Sequence, residues 1–327
     1  MKRVFVALAC ALMLMCCTDN GNDNNKQTSK QVEEKQQVTD TLDVNGYIER
    51  ARWYLINQKV GNAIRDINSA LSLDSKNVDA LLVLADIYYA LGDLDNIMLT
   101  LNKASEIAPL DSRPVIKLAE LSFLQGNTNM ANAYLDKALE LNAFNPQAYY
   151  MRGLIYMSKN DTVQALKQFM SARNQDDSFI DPVLQIAGIY AAQRNPMTKD
   201  FYALAMQMEP DNLGLYYDYA MYLQDNGDPL KALEIYDTLD ARMPGNYNVV
   251  FNKGYVNLVY LNEYDKAIED FDKALEINAK SIDALLNKGI AYEQKGNFKQ
   301  AKSIYLQILK DNPNYQLAID ALHRIGE

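Results

Sequence analysis

Residues 282–315 read IDALLNKGIAYEQKGNFKQAKSIYLQILKDNPNY. Leu285, Gly289 and Tyr292 fall at steps of four and three, one face of a helix, and Ala301, Tyr305 and Ile308 repeat that spacing. Between them lies Lys295-Gly296-Asn297, a turn in which Gly296 can end the first helix in the left-handed region. The stretch therefore predicts a helical hairpin. Its alanine also belongs to a longer series: Ala63, Ile97, Ala131, Ala165, Thr198, Ala232, Ala267 and Ala301, at intervals of 34, 34, 34, 33, 34, 35 and 34. Seven residues further on, Ala70, Ala104, Ala138, Ala172, Ala205, Leu239, Ala274 and Ile308 run in parallel. A fixed period of this size predicts a solenoid of stacked units.

Period and residues together resemble the tetratricopeptide repeat family. Its pattern asks for a large residue at position 4, Gly or Ala at 8, Tyr at 11, Gly at 15, aromatics at 17 and 24, Ala at 20 and 27, and Pro at 32. Leu285, Gly289, Tyr292, Gly296, Phe298, Ala301, Tyr305, Ile308 and Pro313 follow it almost throughout, and Leu81, Ala85, Tyr88, Gly92, Leu94, Ile97, Leu101, Ala104 and Pro109 follow it closely. The resemblance implies an all-α fold, a right-handed superhelical solenoid of eight helix-turn-helix repeats. They are set at 44–77, 78–111, 112–145, 146–178, 179–212, 213–246, 247–281 and 282–315, with a capping helix in 316–327. Two helices per repeat, A and B, and one cap make about 17 helices and no strand.

Small residues at the A–B contact let the two backbones approach. Ser112-Arg113-Pro114, Asn145-Pro146 and Asp181-Pro182 read as capping side chains ahead of first-turn prolines. Repeat 5 departs most, with Thr198 at the alanine position and a turn shortened at Asn195-Pro196, which predicts a local bend.

The chain has 327 residues, 49% of them hydrophobic, enough for a substantial core. Its single histidine, His323, leaves no residue set for a two-His metal site or a His-based triad. A net charge of −10 argues against a nucleic-acid binder, which needs a basic face. No Gly-rich phosphate loop, HExxH, GxSxG or CxxC occurs, so neither cofactor, metal nor catalytic residue is expected.

Met1-Lys2-Arg3 and the twelve apolar residues from Val4 to Met15 suit a secretory leader but are too short for a membrane span. All three cysteines, Cys10, Cys16 and Cys17, lie in or just after this run, so no disulfide is available further on. Leu14-Met15-Cys16-Cys17 resembles a bacterial lipobox, which implies a signal peptide at 1–16 and acylation of Cys17. Cys17, preceded by Cys16, fits better than Cys16, preceded by Met15. The expected address is the bacterial cell envelope, lipid-anchored, as in the outer membrane of a Gram-negative bacterium. Residues 18–43 hold almost no large apolar side chains and read, behind the lipidated Cys17, as a disordered tether about 28 Å in root-mean-square span. Asp40-Thr41-Leu42 in that tether resembles an O-glycosylation site of envelope proteins.

The family resemblance places partner contacts on the concave wall, at helix A positions 2, 5, 9, 12 and 13. Position 9 is charged in the first three repeats (Arg52, Asp86, Glu120) and lacks charge from the fourth (Leu154, then Met221, Tyr255 and Ile290). Tyr150, Leu154, Met157, Tyr217, Met221, Phe251, Tyr255 and Leu258 form the expected partner-binding groove, rich in the aromatic and Met anchors of interfaces. The family's chaperone-tail clamp is not expected. Arg113 and Lys117 supply a basic pair, but Ile48, Arg52 and Val83 stand where the other clamp residues belong. The function expected is a non-enzymatic interaction scaffold holding an envelope protein or peptide. The tyrosine-dense run Leu215–Tyr222 keeps open an alternative, a glycan- or nutrient-binding surface lipoprotein.

Overall fold

The computed structural model describes residues 42–326. Cys17, the lipobox and Thr41 lie outside them. Among the described residues there are 17 α-helices, one π-helical turn and no strand. The chain divides into two compact units that meet between Asp176 and Asp177. The first holds four hairpins: α1 (Val44–Ile56) with α2 (Val60–Leu73), α3 (Val78–Leu91) with α4 (Leu94–Ile107), α5 (Ser112–Leu124) with α6 (Thr128–Leu141), and α7 (Pro146–Ser158) with α8 (Thr162–Gln175). The second pairs α9 (Ile180–Ala192) with α10 (Thr198–Met208) and α11 (Leu213–Asp225) with α12 (Pro229–Arg242). It then pairs α13 (Tyr247–Tyr255) with α14 (Tyr264–Ile277) and α15 (Ile282–Gln294) with α16 (Phe298–Asp311), and ends in α17 (Gln316–Arg324). No helix of the described residues is long and apolar enough to cross a membrane.

The periodic small residues do what their spacing predicts. Ala63, Ala131, Ala165, Ala232, Ala267 and Ala301 are fully buried at the centre of their hairpins. The glycines of the A helices have a sharper reason. A Cβ on Gly153 would sit 2.3 Å from Phe169, one on Gly254 2.9 Å from Phe271, and one on Gly289 2.5 Å from Tyr305. A large ring on helix B thus lies against bare backbone on helix A of its own repeat. Where helix B carries an aliphatic residue instead, as at Ile67, Leu101 and Leu135, helix A has Ala51, Ala85 and Ala119.

The A–B turns share one device. Gly92, Gly126, Gly227 and Gly296 adopt φ between 73° and 90°, and Gln58, Asn160, Arg194 and Asn262 take the same left-handed conformation in the remaining hairpins, at φ of 52° to 59°. Helix starts differ in detail from the expectation. Asn145 caps α7 by accepting from Ala148 N at 3.0 Å. Ser112 is not a cap: Asp111 caps α5, accepting from Arg113 N at 2.9 Å, and the Ser112 hydroxyl instead accepts from Asn145, the cap of α7, at 3.2 Å. Asp181 is not a cap either, because α9 begins at Ile180 and places it inside the first turn.

Two hairpins depart from the 34-residue period, and each shows where the change is absorbed. In repeat 5, α10 has 11 residues against 14 in the other B helices. Thr198 is fully buried at the alanine position, and its hydroxyl is satisfied by donating to Asn195 O at 2.6 Å. In repeat 7 the extra residue is taken up by the π turn Val256–Tyr260, which continues α13. The last helix, α17, buries Ala318 and Ala321 against Leu286, Ile304 and Tyr305, closing the final apolar face as terminal repeats must.

Candidate functional site

The eight residues expected to line the groove fall into two groups, one in each unit. In the first, Tyr150 is only 8% exposed, its ring 5.7 Å from Phe169, while Leu154 and Met157 are half-buried on α7. In the second, Leu258 is buried in the π turn. Tyr217 packs edge-on to Tyr236 at 6.1 Å, and its hydroxyl accepts from Asn252 Nδ2 at 3.0 Å. Phe251 lies between Tyr247 (5.7 Å) and Phe271 (5.6 Å). In repeats 4, 6 and 7 position 5 thus meets the large ring of helix B in its own repeat; Tyr150 is buried there, while Tyr217 and Phe251 remain half-buried. Tyr150 and Leu258 are corrected from wall to core.

Met221 and Tyr255 remain accessible, and the π turn adds to them. It exposes Val259 and Tyr260, and the Tyr260 ring meets Tyr255 edge-on at 6.1 Å. The Tyr260 hydroxyl donates to Asp225 Oδ1 at 2.9 Å, four residues after Met221 on the same face of α11. Burial and this bond push the Tyr260 phenol up to about 12. The result is an aromatic strip with one carboxylate.

A separate hollow lies in the first unit, where a cavity of about 490 Å³, open to solvent, is bordered mainly by the A helices α1, α3 and α5. Its walls are aliphatic: Leu55 and Ile56 from α1, Ile97 and Leu101 from α4, and Leu121 and Leu124 from α5. Its polar groups are Asp86 and Tyr89 on α3 and Lys117 and Glu120 on α5, with Gln58 from the first A–B turn. Lys117 donates to Asp86, so those two charges compensate each other. Glu120 has no such hydrogen-bonded partner among the described residues. Burial pushes its carboxyl above the usual range, Lys117 opposes that and Asp86 reinforces it. The Tyr89 phenol is likewise raised, by burial and by the nearby Glu120 charge, yet its side chain is 43% exposed.

Apolar walls around a few polar groups make an arrangement suited to holding a side chain or small ligand. Asp86, Tyr89 and Glu120 were not among the expected groove residues. The signal was present in the sequence, since Asp86 and Glu120 are the charged members of the position 9 series. An open apolar wall drew the expectation towards the later repeats, whereas the hollow formed where residues are charged and the neighbouring side chains, such as Ala85 and Ala90, are small.

Family models described as tetratricopeptide repeat match residues 49–111, 117–178, 217–282 and 258–324. A TPR repeat-containing protein of Methanocaldococcus jannaschii is 26% identical over 194 residues, 59% of this chain and 30% of its own length. The mitochondrial import receptor subunit TOM70 of Mus musculus is 24% identical over 298 residues, 84% of this chain and 48% of its own. The chain therefore spans less than half of the length of these curated relatives. Among solved structures, the C-terminal part of a TPR repeat-containing protein from Cytophaga hutchinsonii superimposes with a TM-score of 0.63 at 17% identity. That match covers 74% of this chain and 99% of the other.

Proposed function

Because this chain belongs to the tetratricopeptide repeat family, we propose that it is a non-enzymatic scaffold that binds a partner polypeptide on the A-helix faces of its hairpins. The observation that carries this is the aliphatic-walled cavity between α1, α3 and α5, at helix positions that this family uses for contact. The aromatic strip of Met221, Tyr255 and Tyr260 supplies a second accessible surface within the other unit. Acylation of Cys17 would hold the protein on a bacterial membrane, and residues 18–43 would set the repeats clear of it. The partner is then a protein or peptide of the same envelope, and the proposed address is the outer membrane of a Gram-negative bacterium.

Photo-crosslinking tests this directly. A benzophenone amino acid placed at Tyr89 or at Tyr255 in the membrane-bound protein should yield a discrete adduct with one partner chain. Adducts with lipid alone, or with no protein at either position, would sink the scaffold reading.

A further inference from the structure

We propose that the cavity between α1, α3 and α5 is a receptor for a lysine or arginine side chain of the partner polypeptide, flanked there by an aliphatic residue. The inference rests on the scaffold reading and names the chemistry that its first-unit site selects.

The argument is one of charge and shape. Two carboxylates and one cation line the cavity: Lys117 donates to Asp86 and acts on Glu120 only through space, which leaves one net negative charge. Glu120 is left as an excess negative charge in a largely desolvated place, held without a hydrogen-bonded cation of its own. An incoming ammonium or guanidinium would relieve that burial cost, because a buried carboxylate gains most from a directly bonded cation. Tyr89 lines the same cavity as Glu120 and is 43% exposed, so its ring is available for a cation–π contact with a cation held there. The aliphatic stem of Lys or Arg, and an apolar neighbour, would lie against Leu55, Ile56, Leu121 and Leu124. A volume near 490 Å³ holds more than one side chain. An acidic or C-terminal carboxylate ligand would meet Glu120 and be repelled.

The test uses the full chain and four fluorescein-labelled nonapeptides, Gly-Ser-Gly-Leu-X-Leu-Gly-Ser-Gly, with X as Lys, Arg, Gln or Glu. Anisotropy titrations should show the Lys and Arg peptides binding at least tenfold more tightly than the Gln peptide, about 1.4 kcal/mol, with the Glu peptide weakest. Glu120→Gln should abolish most of the Lys-over-Gln preference while leaving the melting curve unchanged or raised. Tyr89→Ala should weaken the Lys peptide more than the Gln peptide. Equal binding of Lys and Gln peptides, a preference that survives Glu120→Gln, or no binding of the Lys peptide overturns the proposal. So does spermidine that competes at the peptide's own Kd, which would make the occupant a free polyamine. A partner adduct at Tyr255 alongside any of these results would leave the scaffold reading standing while the pocket inference falls.

Discussion

The Tyr305 hydroxyl donates to Glu293 Oε2 at 2.7 Å, joining the central ring of α16 to a carboxylate twelve residues earlier on α15. Tyr236 and Gln224 repeat the relationship in α12 and α11, at the same separation and 3.0 Å. Where the ring is Phe169, with no hydroxyl to satisfy, the residue at that spacing is Met157. A buried phenol needs a polar partner and a buried phenyl does not, so the two positions change together. Glu293 extends the contact to the end of the chain, because Arg324 of α17 meets both of its oxygens, at 2.5 and 2.9 Å. Burial raises the Glu293 carboxyl, but the Arg324 and Tyr305 bonds outweigh it and hold it below the usual range.

That triad makes the terminal helix a latch. Arg324→Ala should cost about 1–3 kcal/mol, the loss expected when a buried charged acceptor is stripped of a partner. Amide hydrogen exchange should speed up in α17 first. Tyr305→Phe should couple to it in a double-mutant cycle by more than 0.5 kcal/mol, read from urea unfolding. Additive losses would mean that the two bonds act independently.

The glycine–ring contact predicts a rescue. Gly153→Ala drives a methyl into the Phe169 ring and should destabilise by about 1–3 kcal/mol. Adding Phe169→Leu rebuilds the Ala119–Leu135 pairing of the neighbouring repeat and should recover a large part of that loss. Thermal melts of the single and double variants decide it.

The left-handed turn residues can be improved. Arg194 and Gln58 hold positive φ with a Cβ, at 52° and 56°. Arg194→Gly and Gln58→Gly should each stabilise by about 0.5–1 kcal/mol, once lost αL strain is set against glycine's extra chain entropy. Gly92→Ala should do the reverse. A lower melting temperature for both glycine variants would show that these turns carry no strain.

Stability should rise as pH falls from neutrality. Burial raises the carboxyls of Glu120, Asp181, Asp218 and Asp270 in the folded state, with Glu209 adding to the effect at Asp181. A raised carboxyl binds its proton more readily folded than unfolded, so acidification through its folded pKa favours the fold. Urea midpoints should increase as pH falls from 7.5 towards the carboxylate range and then fall at lower pH, as the lowered carboxyls of Glu293 and Asp111 lose their Arg324 and Arg113 partners to protonation. Glu120→Gln should flatten the rising limb.

The proposed membrane address turns on one sulfur. Cys17→Ala should move the protein from the membrane pellet to the soluble fraction, and mass spectrometry of the parent should find the acyl chains on Cys17. If Cys16→Ala releases the protein and Cys17→Ala does not, the acylated residue is Cys16.

The hairpins were legible because what makes them is local and periodic. Ala63 to Ala301 recur where two helix backbones touch, and Gly92, Gly126 and Gly296 stand where the chain must turn left-handed. The glycines opposite Phe169, Phe271 and Tyr305 were readable as close contacts. That Gln58 and Arg194 would take the same conformation was not, since neither has a left-handed preference, whereas Asn160 and Asn262 belong to the residue type that enters this region most readily after glycine. The odd interval of 35 marked repeat 7, but the resolution of the extra residue into a π turn came from the packing of Val256 and Leu258 into the core.

By itself the sequence determined a repeating all-α hairpin architecture, since helix period, small contact residues and turn residues act over a few neighbours. Tertiary structure alone decided which A-helix side chains face a hollow. Tyr150 and Glu120 stand one position class apart on adjoining A helices, yet one closes against Phe169 and the other borders an open cavity. Exposure at these positions depends on the size of side chains one and two repeats away. No periodicity within a single repeat carries that information.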